Sequence, residues 1–147
     1  MKVAIYHPQL NNFGGGETVA LTIAETLSKK HEVDIFTPYK VSKQKLQDFF
    51  NLNLENINIV NFGKLIRSLP SFNTIKPYLY QHSIYNRLEK YDLVIDTATN
   101  GKFDKKLETK TICYLHFPHF FNKKKGIKSI LNPFVIQAED AFKYDKI

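Results

Sequence analysis

Three successive glycines, Gly14-Gly15-Gly16, run directly into Glu17 and an apolar stretch, and of all residues in this chain they are best suited to holding a phosphate. Glycine lets a backbone approach a ligand closely, and the N–H groups in a helix's first turn carry partial positive charge. Glu17 either complements the helix dipole or belongs to the ligand loop. Seven residues earlier stands His7, in the pair His7-Pro8 that ends an apolar run. His116 and His119 flank Phe117-Pro118 after another such run, where an imidazole can act as a hydrogen-bonding group or contact a sugar hydroxyl or phosphate oxygen. Asn100 precedes Gly101 in a third polar loop, and Phe120, Phe121, Lys123, Lys124 and Lys125 combine aromatic and basic character. That combination suits either a solvated loop with an apolar anchor or a membrane surface, with basic residues for headgroups and aromatics for the interface.

Several chemistries are disfavoured. The dinucleotide fingerprint G-x-G-x-x-G fails because Val19 stands in place of its last glycine, and Gly101-Lys102-Phe103 is not a phosphate-loop signature. No His, Cys and Asp spacing suits zinc, so no metal is expected. The single cysteine, Cys113, lies inside the apolar run Thr111-Ile112-Cys113-Tyr114-Leu115. It reads as a small buried thiol, not as a nucleophile paired with His116, and points to a reducing, cytoplasmic compartment.

The elements that must position these residues alternate. Residues 2–6 form a first strand, and Val19, Ala20, Ile23, Ala24 and Leu27 mark one face of a first helix. Glu32 to Thr37 is a second strand, completing a βαβ unit. A short helix capped by Ser42 should run to Phe50, followed by a third strand over 56–60. Residues 63–76 read as a hinge, and Pro77 to Lys90 as a helix of about 13 residues. Asp92 to Thr97 is a fourth strand, Lys110 to Leu115 a fifth, and a helix follows from Gly126, restarting at Asn132-Pro133. Alternation of this kind predicts an open, doubly wound parallel sheet of Rossmann-like type, with ligands beyond the carboxyl ends of its strands. The loops after strands one, four and five should then rim one crevice.

With 147 residues, 43% of them hydrophobic, the chain has one domain's worth of core, and no run approaches the roughly 18 apolar residues of a membrane span. Its net charge of +7 implies an anionic partner: nucleic acid, an acidic membrane surface or a phosphorylated small molecule. A basic α/β module for nucleic acid, using Lys102, Lys105, Lys106 and Lys123 to Lys125, is one reading, although no nucleic-acid motif is present. A flavodoxin-like regulatory domain would need acidic residues after strand one, where His7-Pro8 stands.

The other reading comes from a resemblance. His7-Pro8, the loop with Gly15-Gly16-Glu17 and the long apolar helix resemble the opening of the GT-B glycosyltransferases of family four, especially the dolichol-pathway mannosyltransferases. Tyr114-Leu115-His116-Phe117-Pro118 resembles their Tyr/Cys-x-His-Tyr/Phe-Pro segment. The resemblance implies that residues 1–147 are the N-terminal, acceptor-side half of a GT-B fold. The nucleotide-sugar-binding domain with its Glu-x7-Glu motif would come from further chain or from a partner chain. Glu17 and Glu25 share that spacing by coincidence, on a helix of the wrong domain.

It further implies retaining transfer of a hexose, expected to be mannose, from a GDP- or UDP-sugar to a saccharide or polyprenyl-linked acceptor, with no resident cofactor. His116 becomes the catalytic, sugar-contacting histidine, and Gly14, Gly15, Gly16 and Glu17 the loop against the donor's diphosphate and sugar. His7, Asn100 and His119 fall on the acceptor side. Phe120, Phe121 and Lys123 to Lys125 would touch the cytoplasmic face of a membrane as a peripheral contact. Under this reading nucleic acid is not a partner.

Overall fold

The computed structural model of the chain describes residues 1–68, 76–98 and 107–114. Among the described residues nine elements follow one another: β1 (Lys2–Tyr6), α1 (Gly15–Ser28), β2 (Glu32–Thr37), α2 (Lys43–Phe50), β3 (Ile57–Asn61), α3 (Lys64–Arg67), α4 (Lys76–Leu88), β4 (Leu93–Asp96) and β5 (Lys110–Cys113). The five strands form one parallel sheet in the order β3-β2-β1-β4-β5. Strand order therefore reverses beside β1, whose two neighbours are reached by connections running in opposite directions. In parallel sheets the crevice opens at such a reversal, beyond the carboxyl ends.

Period-two alternation divides the strand residues between two cores. Val3 and Ile5 of β1, Val33 and Ile35 of β2, Ile57 of β3 and Ile95 of β4 pack with Leu21 and Ala24 of α1 and Leu46 of α2. Ala4, Tyr6, Phe36 and Val94 face the other way, against Tyr80, Ile84, Tyr85 and Leu88 of α4. Tyr80, Ile84 and Leu88 recur at intervals of four, with Tyr85 beside them, the stripe a helix needs to lie on a sheet. Both faces of the sheet are thus covered by helix, and its central strands can be apolar throughout.

Local chemistry sets the element ends. Ser42 caps α2 by accepting from the Lys45 N–H at 3.4 Å, as its position before the apolar run predicts. Asn51 ends that helix in the left-handed region, which asparagine tolerates.

Some expectations change. Helix α1 begins at Gly15, so Gly15 and Gly16 lie within its first turn, not in a loop before it. The stretch read as a hinge contains the one-turn helix α3, and β3 is displaced one residue to Ile57–Asn61. Cys113 is half-buried instead of fully enclosed: its strand β5 has a hydrogen-bonded neighbour, β4, along one edge. The end of the fifth predicted strand at Leu115 and the predicted helix from Gly126 lie outside the described residues. Among the described residues, no helix is long and apolar enough to cross a membrane.

Candidate functional site

Parallel register places the last residues of three strands side by side. Tyr6 is paired with Phe36 on one flank and with Asp96 on the other. One residue further, His7, Thr37 and Thr97 form a row across the carboxyl ends of β2, β1 and β4. The row continues the alternation of Ile5, Ile35 and Ile95, so it faces α1. The ladder extends to this level: the His7 N–H donates to the Phe36 carbonyl at 3.0 Å and the Thr97 N–H to the Tyr6 carbonyl at 3.1 Å.

Side chains join this row to the start of α1. His7 Nδ1 lies 2.9 Å from Thr97 Oγ1, and Nε2 lies 3.3 Å from Glu17 Oε1. The second carboxylate oxygen, Oε2, accepts from the Gly14 N–H at 2.8 Å. His7 is 4% exposed, Glu17 5% and Thr97 fully buried. The Thr97 hydroxyl also donates to the Tyr6 carbonyl at 3.1 Å. With that proton committed, Nδ1–H donates to Thr97, and a proton on Nε2 is needed for the contact with Glu17. These bonds fit a ring protonated on both nitrogens, the state in which His7 and Glu17 form a buried ion pair.

Glu17 is the third residue of the helix and reaches back to the N–H of its N-cap, Gly14. This is the reciprocal half of a capping box; the other half is missing because glycine has no side chain. Burial pushes the Glu17 carboxyl up, but hydrogen bonds from its own N–H, from His7 and from Gly14 outweigh burial and hold it below its ordinary value of 4.5. A depressed carboxyl stabilises the fold fully above its unfolded value and loses that contribution as pH falls through the folded value. Stability should therefore decline on acidification below pH 4.5. In Glu17→Gln the part of this decline owed to Glu17 should vanish, measured as urea midpoint against pH. Identical acid limbs in the two proteins would refute the assignment.

The threonine, histidine and glutamate are connected in the order of a nucleophile, base and orienting acid. Their burial argues for a different use. A nucleophile must meet its substrate, whereas the Thr97 hydroxyl is enclosed and bonded to backbone. The arrangement serves to tie the start of α1 to the ends of β1 and β4.

Backbone geometry gives each glycine a different status. None of the three lies in the left-handed region; that conformation falls to Phe13, with φ of 54°. Phe13 is held there by stacking on Phe50 at 6.0 Å and by an edge contact with Phe49 at 5.1 Å. A Cβ on Gly14 would come within 3.0 Å of Glu17 Oε2, so Gly14 accommodates the carboxylate. A Cβ on Gly15 would meet nothing within 4 Å.

Of the sequence-predicted residues, the structure brings together His7, Gly14 and Glu17, with Gly15 and Gly16 beginning the helix beside them. Glu17 is turned inward to His7, and His7 has both ring nitrogens engaged within the chain, so neither projects as a free ligand group. Asn100, His116, His119, Phe120, Phe121, Lys123, Lys124 and Lys125 lie outside the described residues, as do Lys102, Lys105 and Lys106. Glu25, at the coincidental spacing from Glu17, accepts the Asn53 N–H at 2.7 Å. From sequence Thr37 marks only the end of the second strand and Thr97 the end of the fourth, where a candidate crevice loop begins; the available signal was a polar residue ending each of three apolar strands. Among the described residues, no three His, Cys, Asp or Glu side chains gather as metal ligands would. No family model matches the chain, and neither curated proteins nor solved structures yield a match.

Proposed function

We propose that this chain is the N-terminal half of a retaining glycosyltransferase with a doubly wound, GT-B type architecture, and that its glycine turn receives the diphosphate of a nucleotide sugar. Gly15 carries the proposal. It lies exposed at the start of α1, outside the left-handed region, with open space where a Cβ would stand. Neither packing nor backbone conformation asks for glycine there. Alanine would favour the helix by about 1 kcal/mol, a preference forgone with no internal compensation. What glycine offers is close access to the Gly15 and Gly16 N–H groups, which the repeating i→i−4 bonds of a helix leave over in its first turn.

The chemistry follows from that access. Retaining transfer needs stabilisation of the departing diphosphate, which N–H groups and positive charge supply. In this reading the sugar is a hexose such as mannose, carried by GDP or UDP, and no resident cofactor is used. His116 contacts the transferred sugar. His119 and Asn100 are assigned to the recognition of a saccharide or polyprenyl-linked acceptor, and Phe120, Phe121 and Lys123 to Lys125 to contact with the cytoplasmic face of a membrane. Most nucleotide contacts belong to a second domain or partner chain, so this chain alone binds its donor weakly and turns nothing over.

Gly15→Ala separates the turn from the fold. Its unfolding free energy should equal that of the parent or exceed it by up to about 1 kcal/mol. Chemical-shift changes at the Gly15 and Gly16 amides, induced in the parent by millimolar nucleotide sugar, should disappear. Micromolar affinity of this chain alone would contradict the division between halves. Salt-sensitive oligonucleotide binding, with no response of the turn to nucleotide sugar, would replace the transferase reading with the nucleic-acid one.

A further inference from the structure

The surface around the carboxyl ends of β2 and β3 carries a charge asymmetry that the glycine turn does not use. Residues 35–47 and 56–88 contain no aspartate or glutamate, and Lys40, Lys64 and Arg67 fall within them. Folding joins the two stretches. The Phe62 N–H donates to the Thr37 carbonyl at 3.1 Å, Arg67 donates to the Pro38 carbonyl, and a Cβ on Gly63 would stand 3.6 Å from that of Pro38. Lys40 and Lys64 are exposed and Arg67 is half-buried, and none of the three is paired with a carboxylate among the described residues. Arg67 directs its bonds to neutral groups, the Pro38 carbonyl and Asn61, so its charge stays uncompensated.

Apolar side chains stand among these cations. Leu65 is 83% exposed, the most open of the large hydrophobic side chains described, and Tyr39 is exposed as well. A single exposed leucine is ordinary on a soluble protein. Here, however, α3 turns Lys64 and Leu65 outward while Ile66 packs against the core, and Arg67 fastens the helix to the end of β2. We propose that this surface docks on an anionic lipid bilayer, with Leu65 entering the interface and Lys40, Lys64 and Arg67 meeting the headgroups. A nucleic acid would engage the cations and leave Leu65 in water. A bilayer takes both, because lysine and arginine lay their aliphatic stems along apolar surface while their charged heads reach phosphate. The surface is separate in sequence from Phe120, Phe121 and Lys123 to Lys125, and it does not rest on the transferase reading.

Cosedimentation of the full chain with vesicles tests the proposal. The chain should bind phosphatidylcholine vesicles containing about 30% phosphatidylserine, bind pure phosphatidylcholine weakly, and lose the difference as salt screens the headgroups. Lys40→Gln and Lys64→Gln should each lower partitioning about fivefold, and together about 25-fold. Leu65→Ser should lower it about tenfold with the salt dependence unchanged. These side chains are exposed, so the urea midpoint of each variant should match the parent and separate lost docking from lost fold. Equal binding to neutral and anionic vesicles, binding to neither, or parent-like binding by these variants would overturn the proposal. So would a loss confined to a variant with Lys123, Lys124 and Lys125 all changed to Gln, which would place the contact there. Oligonucleotide binding that falls in Lys40→Gln and Lys64→Gln while vesicle binding persists would assign the surface to nucleic acid instead. Responses of the Gly15 and Gly16 amides to nucleotide sugar are read separately in the same proteins and bear on the transferase reading alone.

Discussion

Glu17→Ala should lower the unfolding free energy by about 3 to 5 kcal/mol, the loss typical when one partner of a buried ion pair is deleted. Alanine leaves the enclosed His7 ring without its carboxylate partner and the Gly14 N–H without its acceptor. It also removes an acidic residue from the first turn of α1, a smaller loss of a few tenths of a kcal/mol. Helix propensity moves the other way by less than about 1 kcal/mol, so the lost pairing decides the sign. Glu17→Gln, which preserves shape and an acceptor, should cost about 1 to 3 kcal/mol. Urea unfolding at neutral pH measures both. A loss below about 0.5 kcal/mol for the alanine variant would mean that the pair is solvated like a surface one.

Gly63→Ala should be nearly as damaging, through backbone and packing together. Gly63 has φ of 73°, in the left-handed region that costs other residues about 1 to 2 kcal/mol. A Cβ there would stand 2.7 and 2.8 Å from two ring carbons of Tyr80. That ring is confined by edge contacts with Phe62 at 6.0 Å and Tyr39 at 6.4 Å, so it has little freedom to retreat. Forced overpacking adds about 1 to 3 kcal/mol, and the whole loss should reach about 2 to 5 kcal/mol. The position is demanding because the chain leaves β3 there and turns into α3, where Arg67 donates to the Pro38 carbonyl and to Asn61. In a double-mutant cycle, Tyr80→Leu should recover the steric part and leave the backbone part. Additive losses in that cycle would mean that the two residues do not collide.

These predictions weigh differently on what could be read in advance. Alternating apolar runs were sufficient for β1, α1, β2, α2 and β4, because each signal lies within a few residues of chain and is reinforced by a cap or breaker such as Ser42 or Pro38. Helix α3 has four residues and too little periodicity to register. Glu17 illustrates the intermediate case. A glutamate three residues after a helix N-cap is a local pattern, and its hydrogen bond to Gly14 was accessible in principle. Its burial against His7 was not, since it depends on how the chain between residues 7 and 17 folds back over the end of β1.

The same distinction separates the halves of the glycine turn. That the run of glycines begins a helix beside an apolar strand was determined by residue order. The individual roles were not: Gly14 yields to a carboxylate, Gly15 opens to solvent, and Phe13, not a glycine, takes the left-handed conformation. Sequence alone thus determined the α/β alternation, the main helices and strands, and the neighbourhood of the candidate site. Only the tertiary structure decided that Thr97, ninety residues from His7, completes the network, because parallel register across β1 and β4 sets that pairing and leaves no local mark in the chain. Local order specifies elements through short-range propensity and periodicity. A buried polar network comes from long-range register, where each group is satisfied by residues that only folding brings near.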